Sequence, residues 1–163
     1  MIRNTLLALA ATLALGAAQA ATFSFTGITE GNGPLPNSAF SGSFSYDELA
    51  LTNSGDETLA LSGWTLNAFG QVFSFAGAEA APIAVFTDGM LLGVEVSYSG
   101  STPALSMVSS PFGIADAYLS YTTANGMGTG SYTLTAAVPE PESYALMLAG
   151  LAAMGFMVRR KKA

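Results

Sequence analysis

Basic residues are confined to the two ends of this 163-residue chain, and that segregation limits what the chain can fold into and do. Arg3 lies near the start, and the other four, Arg159, Arg160, Lys161 and Lys162, form one cluster near the end. Between Asn4 and Val158 lie all eleven acidic residues and no Lys or Arg, and the whole chain lacks His and Cys. The length allows one ordinary domain.

This composition excludes several classes of function. A nucleic-acid-binding protein needs cations to meet phosphates, and the interior of the chain has none. Acid–base catalysis by His, nucleophilic catalysis by Cys, Schiff-base chemistry by Lys and metal sites built from His or Cys all lack their residues. Disulfides cannot form. We therefore expect no enzyme activity, no cofactor and no nucleic-acid partner.

The first twenty residues have the parts of a secretory signal peptide. An apolar run at Leu6–Leu15, interrupted only by Thr12, follows the short basic start. The run is too short to cross a bilayer core of roughly 30 Å and has no polar face for a buried amphipathic helix. Ala18-Gln19-Ala20 fits the small-x-small cleavage pattern, with the cut after Ala20. We predict a signal peptide at 1–20 that uses the Sec translocon and signal peptidase.

A second apolar run lies near the other end, at Tyr144–Val158, and predicts a transmembrane helix. As a helix it is about 22 Å long, and the basic residues after it can snorkel to make up part of the remaining thickness. The cluster Arg159–Lys162 should stay in the cytoplasm by the positive-inside rule. The segment 21–138 then lies on the far side of the membrane, in agreement with the N-terminal signal.

The residues before this run, Pro139, Glu140 and Pro141, form an exposed anionic tripeptide. Proline fixes its own φ and favours an extended conformation at the residue before it, so Glu140 is held extended. A processing enzyme can recognise such an extended, anionic segment at the start of a membrane helix. The alternative is that the prolines only end a strand and start a helix.

Val138-Pro139-Glu140-Pro141, the apolar helix and the terminal Arg-Arg-Lys-Lys together resemble the PEP-CTERM sorting signal of Gram-negative bacteria, over residues 138–162. The resemblance implies recognition by an exosortase, a membrane-embedded transpeptidase-like enzyme that supplies the catalytic Cys. It also implies that Pro139, Glu140 and Pro141 are recognition residues, that the helix is a transient anchor and that Arg159–Lys162 is a stop signal. Such proteins are delivered to the cell surface or matrix and usually accompany exopolysaccharide production.

Short alternating patterns predict that the middle segment, 21–137, is an all-β domain. Asp88-Gly89 is a strong hairpin signal, and the alternation slips at Gly63, which suggests a bulge or bend. Turn signals every eight to twelve residues favour an antiparallel sandwich or jelly-roll-like fold. The predicted strands are 22–28, 38–46, 58–67, 69–75, 82–87, 90–99, 104–109, 115–122 and 130–137. The organisation is then signal peptide 1–20, β domain 21–137 and sorting signal 138–163.

Carboxylates are the ionisable groups left for chemistry in the domain. Asp47, Asp56 and Glu57 flank a turn-rich stretch and are weak candidates for Ca²⁺ ligands, although the spacing does not match an EF-hand; a solvated turn is the favoured interpretation. Two carboxylates converging in a cleft would suit a glycoside hydrolase. Asp47 and Glu48 cannot form that pair from one regular strand, because neighbouring residues point to opposite faces.

Aromatic residues are abundant in the domain and have two interpretations. The alternating Phe residues and Trp64 are most simply core, whereas Tyr side chains could stack on sugars. Tyr118 and Tyr121 should face opposite sides of a strand, so at least one is expected at the surface.

Three functional classes follow from the sequence. The first is a structural or adhesive protein of an exopolysaccharide or biofilm layer, exported, anchored in the inner membrane before processing, and then released to the surface. The second is a carbohydrate- or Ca²⁺-binding surface module. The third is a carboxylate-dependent hydrolase.

Overall fold

A computed structural model describes residues 20–136 and 150–151 of the chain. The predicted signal peptide up to Gln19, the tripeptide Pro139–Pro141 and the basic cluster Arg159–Lys162 lie outside the described residues. Ten strands make up the domain: β1 (Ala20–Thr29), β2 (Ala39–Asp47), β3 (Asp56–Ala60), β4 (Gly63–Ala68), β5 (Gln71–Phe73), β6 (Ile83–Thr87), β7 (Met90–Tyr98), β8 (Ala104–Val108), β9 (Tyr118–Thr123) and β10 (Gly126–Ala136). Two single 3₁₀ turns lie at Glu48–Ala50 and Ile114–Asp116.

The ten strands form one antiparallel sheet in the order β3-β6-β7-β8-β9-β10-β1-β2-β4-β5. The prediction of an antiparallel all-β domain is confirmed. The structure has one continuous curled sheet, however, where the sequence predicts a sandwich or jelly roll. Alternation along a strand says which face is buried but not which strands pair, so it does not distinguish these architectures.

The sheet curls because strands from its two ends are joined by very short connections. β3 lies at one edge and β4 lies next to the other edge, yet only Leu61 and Ser62 separate them. The Leu61 amide donates to Pro82 O on the β6 side (3.0 Å), whereas the Ser62 amide donates to Ser45 O on β2 (2.8 Å). The chain therefore passes from one half of the sheet to the other within two residues, and the two halves must face each other.

Strand β7 joins the two halves, since it pairs with β6 through its first part and with β8 through its last three residues. Gly93 lies within the part that pairs with β6, opposite Val85, at φ +151° and next to the register shift at Val85/Phe86. A Cβ at Gly93 would lie 2.7 Å from Ser109 Cα, so this position needs glycine for close approach as well as for its backbone conformation.

The concave side of the sheet is filled by a core made largely of aromatic side chains. Phe25, Phe44, Trp64, Tyr121 and Phe86 are each at most 3% exposed. The Tyr46 and Phe86 rings meet edge to face, with centroids 5.2 Å apart, across the two halves. Aromatic pairs in such geometries contribute beyond their buried area, so these contacts help to hold the curl closed.

Polar atoms inside this core are mostly hydrogen-bonded. Trp64 Nε1 donates to the Tyr98 hydroxyl (2.7 Å), which in turn donates to Ser74 O. Burial raises the pKa of Tyr132 to about 12 and also raises the pKa of Tyr98. Among the described residues, Tyr132 Oη is a buried side-chain atom for which no hydrogen-bond partner is within range.

Most predicted strands lie within a few residues of the observed ones. The strand predicted at 58–67 is two strands, β3 and β4, because the chain changes partner at Leu61–Ser62. The last strand was predicted to begin at 130 but begins at Gly126. Gly128 there faces the Tyr121 hydroxyl, which an added Cβ would approach to 2.3 Å, so glycine in this strand makes room for an aromatic ring.

The placement of aromatic residues is confirmed in part. Trp64 is core, and Tyr118 is exposed while Tyr121 is buried, as their spacing predicts. The expectation that the Phe residues are core is wrong for Phe75 and Phe112, which are 44% and 85% exposed. Both lie outside the strands, where alternation no longer controls the direction of a side chain.

Candidate functional site

The end of the sheet at which the described part of β10 finishes, next to the sorting tripeptide in sequence, is the first candidate site. Ala136, the last residue of β10, pairs with Phe23 of β1. Because β1 and β10 are antiparallel neighbours, the start of β1 and the end of β10 lie at the same end of the sheet. Ala20, the predicted last residue of the signal peptide, is the first residue of β1, whereas Ala18 lies outside the described residues.

The neighbouring strand brings an exposed turn to this end of the sheet. Ala20 pairs with Asp47, the last residue of β2. The Leu49 amide donates to Asp47 Oδ1 (3.1 Å), and this bond caps the 3₁₀ turn at Glu48–Ala50. The Leu49 side chain is 73% exposed. Asp47, a weak Ca²⁺ candidate, therefore has a local structural role as an N-cap.

The other two candidate metal ligands, Asp56 and Glu57, also accept local hydrogen bonds. Glu57 accepts bonds from the Thr52 amide (2.9 Å), the Thr52 hydroxyl (3.0 Å) and the Asn53 amide (3.0 Å). These bonds, that of the Thr52 amide foremost, hold the pKa of Glu57 below its usual value. Asp56 Oδ1 accepts a bond from the Thr87 hydroxyl (2.5 Å). These contacts fold the loop back on β3.

The loop between β2 and β3 is also fixed to the hairpin turn between β6 and β7. Asp88 Oδ1 accepts a bond from the Gly55 amide (2.8 Å), and the Asp88 amide donates to Gly55 O (2.9 Å). Within residues 20–136 and 150–151, no three acidic side chains come together closely enough to hold a metal ion.

One surface depression, with a volume of about 450 Å³, is lined by two carboxylates, Asp56 and Glu57, together with Thr87 and Ser109. The two acids are consecutive residues of β3 and so project to opposite faces of the sheet. This is not the arrangement of a glycosidase pair, in which two carboxylates face each other across a bound sugar.

The outer face of the sheet is the second candidate site. Side chains that alternate with the core residues point outward here, and cross-strand pairing aligns them in three rows of Ser, Thr and Asn. The rows are Thr135-Ser24-Ser43-Thr65, Thr133-Thr26-Ser41-Asn67 and Ser97-Ser106-Ser120-Thr129. None of the twelve side chains is charged. We call this surface the hydroxyl face.

The geometry of the hydroxyl face is regular. Ser43 Oγ and Thr65 Oγ1 lie 3.0 Å apart, as do Ser97 Oγ and Ser106 Oγ. Two shallow depressions of about 660 and 550 Å³ adjoin β1 and share Thr26 and Gly27 in their linings. Hydroxyls both donate and accept hydrogen bonds, so such rows can bind another polyhydroxylated molecule.

The hydroxyl face was not predicted from the sequence, although its signal is visible there. Ser24 and Thr26 alternate with Phe23 and Phe25 in β1, and the serines at 41, 43 and 45 alternate with core residues in β2. We used this alternation to find the core side of each strand and left the other side without a function. The alignment of the rows depends on strand pairing, which the pattern does not give.

Comparison with known proteins identifies the tail. Residues 137–161 match the family model of the PEP-CTERM protein-sorting motif. No curated protein and no solved structure matches the chain. Within the described residues, no helix has the length and apolar character needed to cross a membrane. The chain carries, after its last β-strand, the sorting signal that marks exported proteins for recognition by an exosortase.

Proposed function

We propose that this chain is an exported protein whose β domain is held briefly at the inner membrane, cut free by an exosortase and released to the cell surface or extracellular matrix. The observation that carries the proposal is the sorting motif at 137–161 directly after β10. In this proposal the exosortase recognises Pro139, Glu140 and Pro141. The apolar run Tyr144–Val158 is the transient anchor, and Arg159–Lys162 stops transfer.

At the other end of the chain, the signal peptide 1–20 directs export through the Sec translocon and is cut after Ala20 by signal peptidase. Cleavage there leaves β1 intact from Ala21 onward, so the proposed mature chain keeps every strand of the sheet. The released domain acts without catalysis as a structural or adhesive component of an exopolysaccharide or biofilm layer. Its lack of Lys, Arg, His and Cys supports this role.

Intact-mass analysis of the released protein tests the proposal. Cells with the exosortase should release a form that begins at Ala21 and lacks the apolar run, and cells without it should retain a longer, membrane-bound form. Glu140→Gln removes the carboxylate of the tripeptide and keeps its shape, and it should slow release; Glu142→Gln, two residues further on, is the matched control. Full-length chain in both strains would contradict the proposal.

The hydroxyl face favours a second candidate function, that of a module that binds a neutral polysaccharide. The first two rows offer hydrogen bonds to sugar hydroxyls with no charged side chain among them, whereas Glu79 lines a depression beside Ser97, Ser106 and Ser120 of the third row. The nine carboxylates of residues 20–136, with no cation beside them, would repel an anionic polymer. The Ca²⁺-binding form of this alternative, with Asp47, Asp56 and Glu57 as candidate ligands, has less support, because the three accept local hydrogen bonds and no three acidic side chains of the described residues come together.

Binding measurements with matched variants separate the two candidates. Thr26→Glu places a charge in the middle of the hydroxyl face and should weaken binding to a neutral glucan or mannan. Thr58→Glu places the same charge on an exposed position of β3 and should leave binding unchanged. If the wild-type domain binds no neutral polysaccharide and its melting temperature is unchanged by Ca²⁺, the second candidate fails and the first is unaffected.

A further inference from the structure

A small depression lies on the outer face of the sheet, over strands β7, β8 and β9. Its volume is about 190 Å³. That is the volume of about six water molecules at ~30 Å³ each, which is close to the size of one sugar ring. Two rows of outward side chains line it, and they are Ser97, Ser106 and Ser120 in the first and Ser99, Ala104 and Thr122 in the second. The first row belongs to the third row of the hydroxyl face.

The floor of this depression is preformed by small side chains on paired strands. Ala104, opposite Thr122, is the smallest of the lining residues, so the surface is low at that point. The turn that precedes Ala104 is fixed by Ser101, whose hydroxyl lies within hydrogen-bond distance of Tyr98 O (2.9 Å) and Pro103 O (2.7 Å). A ligand that enters the depression therefore meets positioned hydroxyls and does not have to order a loop.

One wall of the depression is a carboxylate that the backbone holds in place. The Glu79 amide donates to Ser97 O (3.0 Å), so the loop before β6 runs alongside β7. The Ser99 amide donates to Glu79 Oε1 (3.1 Å) and fixes the side chain against the same strand. The second carboxylate oxygen, Oε2, is left to accept a bond from a ligand. A charged acceptor and a row of hydroxyls therefore line one depression.

The charge of Glu79 selects among the ligands that could fill this space. Residues 20–136 contain no Lys, Arg or His to balance it. A ligand that covers the carboxylate removes water from it, and that costs free energy unless an opposite charge replaces the water. A sugar hydroxyl donates a hydrogen bond without neutralising the charge, whereas a protonated amine does both. The nine carboxylates of residues 20–136 also attract a cationic polymer at longer range.

We propose that this depression binds one residue of an amino-sugar polymer, with the protonated amine on Glu79 and the sugar hydroxyls on Ser97, Ser106 and Ser120. The inference goes beyond the proposed function, since it requires neither the sorting step nor a neutral polysaccharide on the other two rows. A second copy of the domain is disfavoured as the occupant, because its residues 20–136 bring no cation to Glu79. A released domain with this site would be retained by an extracellular layer that contains such a polymer.

Calorimetric titration of the full chain in nonionic detergent micelles tests the requirement for a charged ligand. The probes are a six-residue oligomer of glucosamine and its N-acetylated counterpart, which has the same backbone without the positive charges. The titration is made at about pH 5.5, where carboxylates are ordinarily ionised and the sugar amines are protonated. We expect the glucosamine oligomer to bind at least about tenfold more tightly, because its bond to the carboxylate joins two opposite charges. Equal affinities for the two probes, or no binding of either, would overturn the inference.

Two carboxylate variants separate this site from the net charge of the domain. Glu79→Gln keeps the shape of the side chain and removes its charge, and it should weaken binding of the glucosamine oligomer about tenfold. Glu48→Gln removes an exposed carboxylate from the turn after β2, outside the depression. It should change the affinity less than about twofold at about 0.15 M salt, where distant charges are screened. Equal losses in the two variants would show attraction by net charge alone and would overturn the inference.

A second pair of variants tests the shape of the depression without changing any charge. Ala104→Leu fills the floor and should prevent measurable binding of the glucosamine oligomer. Ala39→Leu makes the same change at the first residue of β2, where Ala39 alternates with the buried Phe40 on the outer face, and should leave binding intact. Melting temperatures should change little in either variant, since both side chains point away from the core. Unchanged binding in Ala104→Leu would overturn the inference, and none of these results depends on the exosortase, so a failure here is distinct from a failure of the proposed release.

Discussion

At the scale of single residues, glycine decides where strands can approach closely. A Cβ at Gly42 in β2 would lie 2.1 Å from Thr65 O and 2.4 Å from the Phe25 ring. Neither the backbone of β4 nor a ring that is 2% exposed can move away cheaply. Gly100, in the turn after β7, has no atom within 4 Å of the same position. Two glycines that look alike in the sequence thus have different roles.

Gly42→Ala should therefore destabilise the domain by about 1–3 kcal/mol, the usual cost of overpacking, or more where the backbone must shift. Gly100→Ala should change the free energy of unfolding by no more than about 0.5 kcal/mol, since it adds no contact. Urea unfolding followed by Trp64 fluorescence measures both. A Gly42→Ala domain as stable as the wild type would show that β2 and β4 are less closely packed than described.

At the scale of elements, local turn chemistry was predictable from the sequence, and strand partnership was not. Asp88-Gly89 forms the hairpin turn that its residues predict, with φ of +46° and +77°. The break at Gly63 was expected, but its role as a crossing between the halves of the sheet depends on β2 and β6, which are distant in sequence. The candidate sites divide similarly, because the tripeptide is visible as a sequence motif whereas the rows of the hydroxyl face are aligned only by strand pairing.

The Asp88-Gly89 turn joins β6 to β7 and also fixes the loop before β3, so a change there should affect two elements. Asp88→Ala loses the bond to the Gly55 amide and places a Cβ residue without a stabilising side chain at positive φ. We expect a loss of about 1–2 kcal/mol in the free energy of unfolding. Asp88→Asn keeps an acceptor oxygen and tolerates positive φ, and it should retain most of the stability. Equal losses in the two variants would show that the carboxylate charge is what matters.

At the scale of the whole molecule, carboxylates and tyrosines together confine maximal stability to intermediate pH. The pKa of Glu57 is lowered by its hydrogen bonds, so its contribution is present above its unfolded pKa, near 4.5, and is lost as the pH falls through the folded value. The pKa of Tyr132 is raised to about 12, so its contribution is complete below pH 10, its unfolded value, and is lost as the pH rises through 12. In Glu57→Gln, the unfolding free energy plotted against pH should therefore fall less steeply on the acid side. The fall on the alkaline side should be unchanged.

The ionisation of the carboxylates should also control the solubility of the domain, because residues 20–136 carry nine carboxylates and no Lys, Arg or His. At neutral pH their repulsion keeps copies apart, although the hydroxyl face itself has no charge. Below about pH 4 most carboxylates become protonated, and uncharged sheet faces can then approach one another. Light scattering of the released domain between pH 3 and 7 should show self-association that begins near pH 4 and is weaker in Thr26→Arg, which keeps a positive charge on the hydroxyl face. Association that is independent of pH, or unaffected by that charge, would mean that copies meet through another surface.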